Sequence, residues 1–80
     1  MYLHIGGEYT LPCRFIIGIF NLELVTATQK NILHFLSTME KENRAEYISE
    51  EIPRSVVVTS DKVYFTPISS LTLSKRMKNT

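Results

Sequence analysis

Few side chains in this sequence have the type and spacing to carry chemistry, and most of those are cations. Cys13 is the one thiol, set between Pro12 and Arg14; the two imidazoles, His4 and His34, lie thirty positions apart. A nucleophilic cysteine needs a base beside it or a setting that lowers its pKa. No histidine adjoins Cys13 in sequence, although a fold could bring His4 to it and Arg14 could favour the thiolate. One cysteine and two separated histidines give no zinc-ligand spacing. The stretch IGGEY has two glycines in a row, without the longer spacing that cradles a phosphate. Glu50 and Glu51 are adjacent, and neighbours in an extended chain point to opposite sides. Catalysis and a cofactor are therefore not expected. The chemistry left is the charge of Arg14, Arg54, Lys75 and Arg76, which suits contact with phosphates.

Charge is unevenly spread along the chain. The whole carries +1, but residues 40–51 hold five acids (Glu40, Glu42, Glu46, Glu50, Glu51) against Lys41 and Arg44, a balance of −3. Residues 52–80 hold Arg54, Lys62, Lys75, Arg76 and Lys78 against Asp61, a balance of +4. The acidic block reads as a solvated helix end and loop. A basic tail also suits the last turn of a helix, where it complements the dipole.

These side chains must be held by a small scaffold. Eighty residues make one domain, 1–80, which buries roughly 60–65% of its unfolded surface. With no second cysteine and no zinc site, self-association is the remaining source of added stability. A lone cysteine, an opening MYLHIGGEYT without the basic start and apolar core of a secretory signal, and no apolar run of membrane-spanning length lead to the expectation of a soluble, cytoplasmic protein.

The expected fold is α+β: a mostly antiparallel sheet of about five strands, one main helix over about 26–40 and a short C-terminal helix over about 70–78. YLHI and EYTL flank Gly6-Gly7 as a hairpin. RFIIGIFNLEL is the strongest strand, with Phe15, Ile17 and Ile19 expected on one face and Ile16 and Phe20 on the other, and Gly18 between. Thr26 and Gln29 fit a capping box for a helix whose stripe is Ile32, Leu33, Phe35, Leu36 and Met39. His34 sits at the stripe's edge. SVVVT and KVYFT, joined by Ser60 and Asp61, form a second hairpin, and Ser69 or Ser70 caps LTLSKRM. Strands apolar on both faces need cover on both, and one main helix leaves a face open. Phe15, Ile17, Ile19 and Phe20 are accordingly the expected contacts of a homo-oligomer.

In YLHIGGEYTLPCRFIIGIF, RSVVVTSDKVYFTPIS and LTLSKRM the chain resembles the Rem family of small bacterial extracellular-matrix regulatory proteins, nearer to its RemB branch. The likeness runs from about Tyr2 to Met77, with order and spacing preserved. It implies regulation of biofilm matrix genes. The RemA branch implies more: a DNA-binding transcriptional regulator assembled as a ring around which double-stranded DNA can wrap, its weak basic patches multiplied by repetition. Two departures stand out. The family's arginine before the third strand aligns with Phe15, leaving Arg14 one place earlier, and its arginine pair aligns with Glu51 and Ile52, leaving only Arg54. An oligomeric adaptor acting on a related regulator protein, without touching DNA, is the competing expectation.

Overall fold

The computed structural model describes residues 1–24 and 29–78. Among the described residues, six strands and two helices follow one another: β1 (Tyr2–Gly6), β2 (Tyr9–Pro12), β3 (Ile16–Asn21), α1 (Lys30–Lys41), β4 (Ala45–Tyr47), β5 (Ser55–Thr59), β6 (Val63–Thr66) and α2 (Ser70–Lys78). A short 3-10 turn, Cys13–Phe15, sits between β2 and β3. The strands form two sheets, an antiparallel β1-β2 hairpin and a four-stranded sheet ordered β3-β5-β6-β4. The expectation of about five strands in one sheet is thus corrected. The extra strand is β4, which pairs parallel with β6 through Ala45↔Val63 and Tyr47↔Phe65 inside the supposed acidic loop. Its charged residue, Glu46, lies beside Lys62 at 3.1 Å and so tolerates the sheet.

Valine on both faces of β5 divides the core in two. Val56 and Val58 join Val63, Phe65 and the α1 residues Leu36 and Met39 on one side. Val57 joins Leu3, Ile5, Leu11 and Leu73 on the other, with Cys13, Ile16, Ile19, Ile48 and Tyr64 packed around them. The hairpin with α2 covers one face of the sheet, while α1 covers the other over β5 and β6 and leaves Ile17 and Phe20 of β3 exposed beside it. The expectation of a wholly open face is narrowed to that strip of β3, because the β1-β2 hairpin acts as a lid over the other face, with its own apolar residues directed at Val57. Thr66 fastens that lid, its hydroxyl donating to the buried Ile5 carbonyl at 2.6 Å.

Gly6 turns the hairpin at φ +126°, where a side chain would be strained, and an added Cβ would stand 2.9 Å from Ile48 Cδ1. Helix α1 starts at Lys30 rather than near 26; Thr26, offered as its cap, lies outside the described residues, and the Gln29 at its N-cap makes no side-chain cap bond. Only part of the expected stripe is covered, since Leu33 and Phe35 remain exposed at 44% and 42%. Helix α2 spans the expected residues, with Ser69 Oγ accepting from the Thr72 N–H.

Beside α1, the Tyr47 ring stacks on Phe65 (centroids 4.5 Å apart, planes 8° from parallel) and its hydroxyl donates to Glu40. Partial burial pushes this hydroxyl's pKa up, and Glu40 adds to the shift by its hydrogen bond and charge. Lys62 is also raised, by its hydrogen bond to Glu46 and that carboxylate's charge. Both groups hold their protons to higher pH when folded than when unfolded, so their stabilisation is complete below about pH 10 and is lost as pH rises beyond it. Urea midpoints are expected to fall above that range, with Tyr47→Phe removing the tyrosine's share of the decline.

Candidate nucleic-acid and assembly surfaces

Arg54 enters β5 with its backbone bonded on both sides: its N–H donates to Thr66 O at 2.8 Å and its carbonyl accepts from Leu22 N–H at 3.0 Å. That fixes the stem but directs the guanidinium to Glu23, whose Oε1 lies 3.2 Å from Nε, with both side chains more than half exposed. Such a pair contributes little to stability, about 0–1 kcal/mol. Its effect here is electrostatic, since the positive charge at this end of the sheet is balanced by an acid. Glu51 and Ile52 lie close before it in the chain, Ile52 with 87% of its surface exposed, and the Glu51 N–H donates to Ser49 Oγ.

Arg14 lies in the 3-10 turn rather than in a strand, so strand alternation does not set its direction. Its guanidinium sits over the Phe15 ring, 4.9 Å from the centroid, an arrangement that leaves the charge at the surface. Ile16 pairs with Thr59 and Asn21 with Ser55, which puts Arg14 and Arg54 at opposite ends of the β3-β5 ladder, roughly 15–20 Å apart.

The α2 cations divide by partner. Arg76 Nη1 donates to the His4 carbonyl at 2.9 Å and approaches His4 Nδ1 at 3.4 Å, tying α2 to β1. His4 Nε2 lies 2.8 Å from Gly7 O, so the tautomer with its proton on Nε2 satisfies both contacts. This occupies His4, while Cys13 is half-buried in the core under the hairpin. Lys75 stays exposed in the last turn of α2, with no salt bridge among the described residues. Of the four cations, then, Lys75 and Arg76 are chain neighbours on α2 and Arg14 and Arg54 stand at opposite ends of the β3-β5 ladder, while Arg54 and Arg76 have partners 31 and 72 residues away in sequence, which no local spacing could announce.

The four apolar candidates also divide, because β3 carries a bulge between Ile16 and Gly18. The extra residue shifts the alternation by one. Ile16 and Ile19 pack under the hairpin, whereas Ile17 and Phe20 face α1 together and line a groove of about 310 Å³ with Ile32, Phe35, Leu36 and Val58. The expected faces, Phe15-Ile17-Ile19 against Ile16-Phe20, are corrected accordingly. Phe15 is separate from both sets, beside Leu11 and the β5-β6 turn. The Phe20 ring folds back over Gly18, where a Cβ would meet it at 3.2 Å. No helix among the described residues is long and apolar enough to cross a membrane.

No protein-family model matches the chain. It is similar to Extracellular matrix regulatory protein B of Bacillus subtilis (strain 168), with 33% identity over 76 residues, spanning 95% of this chain and 89% of that one. Identity at that level over nearly the whole chain is shared ancestry of the whole fold: the chain belongs to the Rem family of extracellular matrix regulatory proteins.

Proposed function

We propose that this protein regulates the expression of extracellular-matrix genes in the cytoplasm as a homo-oligomeric, DNA-binding regulator. The observation that carries the reading is its near full-length relationship to a protein named for matrix regulation. Of the four candidate cations, exposed Arg14 and Lys75 are best able to reach phosphates, with Arg76 beside Lys75 and Arg54 held back by Glu23. So few charges per subunit bind DNA only when an assembly presents many of them at once. Retention of a matrix-gene promoter duplex by assembled protein should therefore be clear at about 50 mM salt and fall steeply, with a log-log slope of about −0.9 per phosphate neutralised. Absence of retention at the low-salt limit removes DNA contact from the function.

A second reading, an oligomeric adaptor that acts on a related regulator without touching DNA, is favoured by one feature. The end of the sheet where the family has basic residues here presents Glu23, Glu50, Glu51 and an exposed Ile52 around a compensated Arg54. Capture of that regulator by a protein that fails to retain the promoter would select this reading. Neither reading calls on catalysis or a cofactor.

A further inference from the structure

The end of the β3-β5 ladder away from Arg54 carries a cleft. Ile16 pairs with Thr59, so Phe15, one place earlier, stands against the β5-β6 turn, and between them is a space of about 180 Å³ lined also by Leu11 and Tyr64. Backbone bonds fix both walls. In the β5-β6 turn the Thr59 N–H and hydroxyl donate to the Lys62 carbonyl, at 2.9 and 2.8 Å, and the Lys62 N–H donates back to Thr59 Oγ1 at 3.1 Å. In the 3-10 turn the Ile16 N–H donates to the Cys13 carbonyl and the Cys13 N–H to the Met1 carbonyl, the latter at 3.0 Å. Walls ordered in advance leave less entropy to lose on binding.

Three kinds of group meet at this cleft. Phe15 offers a ring that is 48% exposed, and Tyr64 lines the space with Tyr9 tilted against it, centroids 6.5 Å apart. At the rim stand exposed Ser60 and Asp61, whose side chains make no hydrogen bond or ion pair among the described residues. Arg14 lies over the Phe15 ring and joins no salt bridge among the described residues. An aromatic face binds a flat ring by stacking, a free carboxylate accepts from an amino group on that ring's edge, and the cation meets an attached anion. A bare phosphate would be repelled by Asp61, and a plain hydrocarbon would leave Asp61 and Ser60 without partners. The volume is below the roughly 300–1,000 Å³ of sites for drug-sized ligands, which suits one ring rather than two fused rings.

We propose that this cleft binds one unpaired nucleobase carrying an exocyclic amino group, cytosine by its size, stacked on Phe15 with the amino group donating to Asp61 and the phosphate at Arg14. Ser60 Oγ is placed to donate to the next acceptor on the same edge. Thymine would set an oxygen against the carboxylate, so the site discriminates between the two pyrimidines. In a duplex the base is stacked and its pairing edge is used, so the cleft reads single strands. This goes beyond the phosphate contacts with duplex DNA named above, and stands or falls separately from them.

The test uses the full-length chain at about 50 mM salt, titrated with labelled strands of about ten deoxycytidines, cytidines or thymidines and with a mixed-sequence duplex, read by anisotropy. The chain has no tryptophan, so its own emission comes from four tyrosines, and stacking at Tyr64 is expected to quench part of it. A cytosine strand should bind at least about fivefold more tightly than thymidine. Phe15→Leu keeps the apolar bulk and loses the flat face; it should weaken the cytosine strand by roughly five- to a hundredfold, the range for losing one stacked base. Asp61→Asn should bring cytosine and thymidine strands within about twofold of each other, whereas a general charge effect would strengthen both and leave their ratio. Each variant is checked for an intact thermal transition. A preference for cytidine or for deoxycytidine names RNA or DNA as the source, and displacement by free cytidine monophosphate at a similar concentration names a nucleotide; the base site stands in each case. Equal binding of cytosine and thymidine strands by wild type, or unchanged cytosine binding by folded Phe15→Leu, overturns it. Duplex binding alone overturns the base site and leaves the DNA-binding reading, while cytosine-strand binding without duplex retention does the reverse.

Discussion

Leu73→Ala is expected to lower the stability of the fold by about 3 kcal/mol, within the 2–5 kcal/mol range for leucine truncations in cores. Leu73 is fully buried among Leu3, Ile5, Leu11 and Val57, so the lost methyl groups leave a cavity bounded by the hairpin and the sheet. Collapse of those walls is opposed on both sides. The hairpin is held by Thr66 on Ile5, and Val57 is fixed in the centre of the β3-β5-β6 ladder. Helix α2 has only nine residues and is too short to persist alone. Besides Leu73, its attachments include half-buried Met77 and the Arg76 bonds to His4. For a domain of this size the loss corresponds to roughly 12–24 °C in Tm. A urea titration would show the fall, with Leu73→Met, which nearly conserves volume, costing less than about 1.5 kcal/mol. A drop below about 1 kcal/mol for the alanine variant would mean that α2 settles into the space, contrary to the anchoring of its walls. The consequence for function is direct, since Lys75 is presented only while α2 is docked.

Elements that carry their own local signal were legible in the sequence. The Gly6-Gly7 hairpin, the valine-rich β5, the aromatic β6 ending before Pro67, and α2 with its serine cap are all determined by residues within a turn or two of one another. What was not legible depends on partners far along the chain. β4 is a strand because Val63 to Phe65 lie open beside it, and Ala-Glu-Tyr has no strand pattern of its own. The bulge at Ile17 is set by the pairing of β3 with β5, and one extra residue inverts the faces that alternation assigns. The covering role of β1-β2 was hidden for the same reason, because a hairpin's alternating pattern does not say which surface it packs on. At the candidate site, the charges were visible and their compensation was not. Arg54 reads as a cation in RSVVV, yet Glu23, 31 residues earlier, decides how much of that charge is left.

Compensation of this kind makes Glu51→Arg the most informative change for function. Glu23, Glu50 and Glu51 outweigh Arg54 at one end of the sheet, and the substitution takes that local balance from −2 to zero. Phosphate contacts add through counterion release, so a new one in each subunit of an assembly should tighten promoter retention at about 50 mM salt by at least tenfold and steepen the salt dependence by up to about 0.9 for each further phosphate neutralised. Folding should be unaffected within about 0.5 kcal/mol, because the residue is exposed and its bond to Ser49 Oγ is made by the backbone N–H, which the substitution keeps. Glu51→Gln, which removes the repulsion without adding a cation, should give part of the tightening and no change in slope. Both variants are to be compared by promoter retention across salt and by capture of a related regulator. If retention does not move while capture weakens, the acid at this position belongs to a protein contact, and the adaptor reading replaces the DNA-binding one. If retention rises and steepens, the sheet end retains the geometry of a phosphate-binding surface, and Glu51 is the residue that keeps it weak.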